Sequence, residues 1–182
     1  MRAATLLTLL AALALASCGG EAPRGPMDPR LVRSLESVHV TPASAAALLT
    51  AWRQSHGLGA VRLDPALNAM AQRQTDAMVA ANTMSHDLGG SLASRLAAAG
   101  IKAREAGENL GEGYFSTEEA MDGWQSSPGH NANLLLANAT RFGIAIAKDP
   151  RTTYGVYWAM EVASEPLPTS NETGLLIAPA SR

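Results

Sequence analysis

Apolar residues recur at three- and four-residue steps through the first two thirds of the chain, then give way to alternation. Ala45, Leu48, Leu49 and Trp52 share one helical face, opened by Thr41-Pro42 and stopped by Gly57. Asp64-Pro65 repeats the start signal, and Leu67, Met70, Ala71, Met78 and Ala81 carry a second helix toward Asn82. Ser91 opens a short third helix through Leu92 and Leu96, closed by Gly100. Ser116-Thr117-Glu118-Glu119 fits a capping box in which Glu119 reaches back to Ser116, heading a helix with Met121 and Trp124. Pro128 interrupts that pattern and starts a short helix through Leu134 and Leu135. Arg141 to Ala147 and Tyr154 to Ala163 alternate, rich in β-branched and aromatic residues, around a turn at Asp149-Pro150. Helices early and strands late predict an α+β domain, with helices packed on an antiparallel sheet.

The N-terminus is a different kind of apolar run. Met1-Arg2 precedes an uncharged stretch from Ala3 to Ala16, then Ser17-Cys18-Gly19-Gly20. The stretch is shorter than the ~18 residues of a membrane-spanning helix and has the form of a secretory signal peptide. Leu15-Ala16-Ser17-Cys18 resembles a bacterial lipobox, which implies cleavage after residue 17 and a lipid-modified Cys18. That cysteine is the only one in the chain, so no internal disulfide is available. A single acyl chain holds a protein to a membrane only marginally, and a lipobox cysteine resembles the type that carries several. The expected organisation is a signal peptide over 1–17, the lipidated cysteine and a flexible tether over 18–40, one domain over 41–164 and a loose tail over 165–182. Gly19, directly after the cysteine, carries no acidic retention signal, which favours the outer membrane in a Gram-negative cell. The formal net charge of −2 leaves no basic footprint for nucleic acid.

Four histidines are present. His39 falls in the tether and His56 at a helix end, both expected to face solvent. His86 begins a loop after the second helix, Glu108 lies between small and apolar residues, and His130 opens the short helix after Pro128. Two imidazoles and a carboxylate can bind a divalent metal such as zinc, or act as an acid and base pair. Their wide spacing fits no local ligand motif, and H-E-x-x-H is absent. Ser126 or Ser127 beside His130 offers a nucleophile on paper, but no G-x-S-x-G elbow exists, and Ser127-Pro128 reads more simply as a helix start. Glu108 and Asn109 also admit a plain structural reading in which they pin a loop, with Gly107 allowing a close backbone approach or an unusual torsion. Trp124, Trp158 and Met160 read as core.

These pieces stand in a familiar order. Met84-Ser85-His86, the Arg95-Leu96 helix closed by Gly100, Gly107-Glu108-Asn109-Leu110, and Trp124-Gln125-Ser126-Ser127-Pro128-Gly129-His130-Asn131-Ala132-Asn133-Leu134-Leu135 resemble a bacterial CAP domain. CAP (also SCP) is the superfamily of cysteine-rich secretory proteins, antigen 5 and pathogenesis-related 1 proteins. Arg141-Phe142-Gly143-Ile144-Ala145 and Tyr157-Trp158-Ala159-Met160-Glu161 resemble its closing strands. The resemblance implies a three-layer α-β-α sandwich and a cleft where His86, Glu108 and His130 converge. Members often hold two histidines and two glutamates there, sometimes with zinc or another divalent ion. This chain departs from the pattern, because Ser127 stands where the second glutamate is expected and Glu118 and Glu119 are poorly placed. The absence of disulfides suits the bacterial branch.

The expected function is that of a lipid-anchored envelope protein whose CAP domain binds a lipid, sterol, peptide or cell-wall ligand, with His86, Glu108 and His130 able to hold a divalent cation. The alternative is a metal-assisted hydrolase, protease-like, using the same cleft. No complete catalytic set is visible, so no residue is assigned a catalytic role and the enzyme question stays open, leaning against.

Overall fold

A computed structural model describes residues 28–166. Residues 1–27, with the expected signal peptide and Cys18, and residues 167–182 lie outside the described residues. The elements run α1 (Pro29–Ser37), α2 (Pro42–Ser55), β1 (Arg62–Leu63), α3 (Pro65–Ala81), α4 (Leu92–Ala98), β2 (Ala106–Glu112), α5 (Thr117–Ser126), α6 (Pro128–Leu134), β3 (Ala139–Lys148) and β4 (Val156–Ser164). The α+β class stands, as does the sandwich, with helices on both faces of one sheet.

The helix starts follow the sequence signals. Thr41 accepts from the Ser44 N–H, Asp64 from Ala66 and Leu67, and Ser91 from Ser94, each ahead of its helix. Ser116 caps α5 through the Glu119 N–H, but Glu119 returns to the N–H of Phe115, one residue before the expected partner. Asn82 ends α3 in the left-handed region at φ 48° and puts its side chain to use, accepting from the Thr153 N–H and the Tyr157 hydroxyl.

The strand order is β1-β3-β4-β2. β4 pairs antiparallel with both neighbours, while the two-residue β1 joins β3 in parallel. All nine residues of β4 are buried, because helices cover both faces. Phe142, Ile144, Trp158, Met160 and Val162 point to one face, against Leu49, Met121, Trp124 and Leu134 of α2, α5 and α6. The other face meets α3 and α4 and is lined by smaller residues, including Ala145, Ala159 and Ala163. Gly143 on that face lies directly under the first turn of α3, where a Cβ would come within 2.3 Å of the Asn68 nitrogen.

Three expectations need correction. The tether over 18–40 is not all tether, since Asp28 caps a helix begun by Pro29, and Leu35 and Val38 are buried. Lys148 closes that helix by donating from Nζ to the carbonyls of Leu35 and Val38 at 2.8 and 2.9 Å. The segment around Glu108, read as a loop, is the edge strand β2. At the far end, Glu165 still belongs to the domain, accepting from Arg62 and Thr140.

Asp64 joins local and long-range order. It caps α3 and also receives Nη1 of Arg141 at 2.8 Å, with both side chains largely buried. Burial by itself would push its carboxyl up, yet the N–H groups of Leu67 and Ala66 and the Arg141 guanidinium outweigh it and hold the carboxyl below its ordinary value. Its contribution to stability is therefore complete above the unfolded carboxyl value of about 4 and is lost as pH falls through the depressed folded value. Asp64→Asn is expected to cost about 3 kcal/mol at neutral pH and to flatten the acid limb of stability. Urea midpoints for both proteins between acid and neutral pH measure this.

Candidate functional site

β2 carries the centre of the site. Glu108 and Glu161 are cross-strand partners on β2 and β4, so both project to the α3–α4 face. Glu108 receives Nη2 of Arg95 at 2.9 Å on Oε1 and 2.7 Å on Oε2, and Nδ1 of His86 stands 2.7 Å from Oε1. A carboxylate only accepts, so Nδ1 of His86 carries the hydrogen and the Nε2 lone pair is left for an incoming group. The His86 side chain is 58% exposed while that of Glu108 is 2% exposed, so the imidazole is the part a ligand meets.

The loop bearing His86 is held from below. Gln74 of α3 donates to the Ser85 carbonyl at 2.7 Å. Arg95 of α4 donates to the carbonyls of Gly90 and His86 at 3.1 and 3.2 Å. Arg95 and Leu88 also line an open trench of about 520 Å³ between α3 and α4, whose walls include Ala66, Ala69, Met70 and Ala77.

His130 approaches from the opposite side of the edge strand. Asn109 donates to its backbone carbonyl at 3.0 Å, and Asn133 donates to the Glu108 carbonyl and to Asn109 Oδ1, each at 2.9 Å. Gly107 makes room for this clasp, since a Cβ there would lie 2.6 Å from Asn133 Oδ1. Its requirement is close approach, not an unusual torsion. Trp52 of α2 anchors the same helix through Asn131 at 2.9 Å. Partial burial lowers the imidazole of His130 first, and the nearby His86 lowers it further. The two histidines thus flank β2 within electrostatic reach of each other.

Glu161 is the residue that sequence reading missed. It is fully buried, no N–H of another residue hydrogen-bonds either carboxyl oxygen, its carboxyl lies within hydrogen-bonding reach of that of Glu108, and Arg95 Nη1 is 3.9 Å away. Burial raises its carboxyl well above the usual range, the Glu108 charge adds to this, and Arg95 opposes it. A charged residue inside the apolar run Tyr157 to Ala163 was the available signal. Arg95 was quoted only as part of a helix. Of the other candidates, His39 is exposed, His56 leans on Trp52 at the end of α2, and Ser126 donates to the Gly123 carbonyl. Trp124, Trp158 and Met160 are core.

The donor set does not fit a divalent ion as it stands. Arg95 and His86 take the Glu108 carboxylate, and among the described residues no three His, Cys, Asp or Glu side chains form a group that could hold a metal.

A three-layer sandwich with paired histidines astride an edge-strand glutamate defines a class of domain, and comparison with known proteins agrees. The model of the cysteine-rich secretory protein family, CAP, matches residues 47–162, and the chain belongs to that family. It is 32% identical over 99 residues to the uncharacterized protein YkwD of Bacillus subtilis, a match covering 53% of this chain and 38% of that protein. It is 31% identical over 96 residues to the uncharacterized membrane protein YlbC of the same organism, covering 52% of this chain and 28% of that one. The matched region therefore spans well under half the length of either relative. Among solved structures, an extracellular SCP-domain protein of Bacillus anthracis superimposes with TM-score 0.60 at 23% identity, over 78% of this chain and 45% of that one. An outer surface protein of Borrelia burgdorferi gives TM-score 0.60 at 17% identity, over 69% of this chain and 96% of that one. At these identities the structures establish the fold.

Proposed function

We propose that this protein is an exported CAP-domain lipoprotein, anchored through acylated Cys18, that presents a binding cleft at the cell envelope. The observation that carries the binding role is the occupied Glu108 carboxylate. Arg95 and His86 both bond its Oε1, and Arg95 Nη2 stands 2.7 Å from Oε2, so the cleft offers the exposed His86 imidazole on a charge-balanced base instead of an open metal position. Such a site suits a ligand with hydroxyl or amide N–H donors, as peptide and cell-wall fragments have. Export and anchoring rest on the signal peptide and lipobox pattern of residues 1–18. The similar proteins include a membrane protein, an extracellular protein and an outer surface protein, which is in keeping with it.

Two experiments test this. In cells fed labelled palmitate, the full chain is expected to take up label and sediment with membranes, and Cys18→Ser to do neither. Soluble muropeptides titrated into the full chain in detergent are expected to shift the His86 and His130 ring resonances at millimolar or lower concentration, with the response lost in His86→Ala. Wild-type hydrolysis of a muropeptide, peptide or ester, abolished by the same substitution, would replace the binding reading with an enzymatic one.

A further inference from the structure

Two carboxyl groups stand side by side on neighbouring strands, Glu108 with its side chain 2% exposed and Glu161 fully buried. Buried acidic groups this close need a cation or a proton to be tolerated. In a cleft that meets His86 as well, a divalent ion is one way to supply that charge. Here burial favours a proton on Glu161, and the charge of Glu108 is met internally. The Arg95 guanidinium touches both oxygens of Glu108, turns its other terminal nitrogen toward Glu161 at 3.9 Å, and is fixed by the carbonyls of Gly90 and His86. Its side chain is only 10% exposed, so water does not screen the contact strongly. Arginine suits this position because its flat fork can bridge two acceptors and keeps its charge when buried.

We propose that Arg95 is the resident cation of the cleft, its guanidinium spanning Glu108 and Glu161 where an exogenous divalent ion would otherwise sit. The inference does not depend on which ligand the domain binds. Two consequences follow from it. Wild-type protein does not use Glu108 as a metal ligand, so any zinc it takes is held by imidazole nitrogens without that carboxylate. Removing the guanidinium exposes a latent site for a hard cation, with carboxylate oxygens from two strands as ligands.

The test is a calorimetric titration of the full chain in detergent with Mn²⁺, for wild type, Arg95→Ala, Arg95→Lys and Arg95→Ala combined with Glu108→Gln. Arg95→Ala is expected to bind one Mn²⁺ at least ten-fold more tightly than wild type and to gain thermal stability from it. Arg95→Lys, which keeps a charge in place, is expected to show no such gain, and the double variant is expected to lose it. A folded Arg95→Ala that binds Mn²⁺ no better than wild type overturns the proposal. So does wild-type binding of one equivalent that disappears in Glu108→Gln. Should Arg95→Ala fold poorly, the Arg95 Nε–H resonance of wild type decides. Its persistence under excess Mn²⁺, followed with diamagnetic Mg²⁺ and Zn²⁺ in parallel to avoid paramagnetic broadening, supports the resident cation. Its displacement by the diamagnetic ions overturns it.

Discussion

Gly143→Ala is expected to destabilise the domain by at least about 3 kcal/mol, among the largest effects of any single methyl group in this chain. The added carbon would meet main-chain atoms, at 2.3 Å from Asn68 N and Leu67 C and 2.6 Å from Leu67 O. A side chain can rotate away from such a clash, but the first turn of a helix cannot. α3 would have to lift from β3 and β4, opening the apolar layer of Ala71, Met78, Ala145, Tyr157 and Ala159. The displacement reaches the cleft, because α3 supports the His86 loop through Gln74 and Ser85. A fall of about 10 °C in the melting temperature is the expected reading. Gly59→Ala, where a Cβ meets nothing within 4 Å, is the control and should stay within about 0.5 kcal/mol of wild type.

Arg53→Met is expected to cost about 4 kcal/mol. Arg53 is fully buried in α2, where desolvation lowers its guanidinium from the ordinary value. It faces four main-chain carbonyls, those of Gly59, Leu134, Leu136 and Ala139, at 2.8 to 2.9 Å. Methionine fills much of the volume and satisfies none of them, so two buried and two part-buried acceptors lose their donor at once. The loss falls where the chain leaves α6 for β3, and hence on the helix that carries His130. Urea unfolding gives the energy. Arg53→Lys should recover only part of it, since an ammonium lacks the fork that reaches all four carbonyls.

What could be read from the sequence divides along physical lines. Helices with a cap, a proline at the first turn and an apolar face, such as α2 and α3, and α5 with its capping serine and apolar face, were visible because those signals act locally. β3 and β4 were visible from their alternation and their aromatic and branched residues. β2 was not, because Ala-Gly-Glu-Asn-Leu-Gly-Glu has little intrinsic strand preference. It is a strand through seven register pairs with β4, a non-local cause. α1 was hidden by prolines and glycines that read as linker, although Leu35 and Val38 bury themselves on the domain. At the site, His86, Glu108 and His130 were singled out by motif; the structure pairs His86 with Glu108 and ties the His130 backbone to Asn109 of the same strand. Glu161 and Arg95 escaped it because their roles come from cross-strand pairing and from a helix packed over it, which no spacing along the chain encodes.

The central claim is that Glu108, held by Arg95, orients His86 toward an incoming ligand. Nitrogen-15 spectroscopy of the His86 ring in wild type and Glu108→Ala, at a pH of about 8 where an ordinary imidazole is neutral, tests it most directly. The account predicts hydrogen on Nδ1 and a bare Nε2 in wild type, with that preference lost in Glu108→Ala. Hydrogen on Nε2 in wild type, or the same spectrum in both proteins, would contradict it.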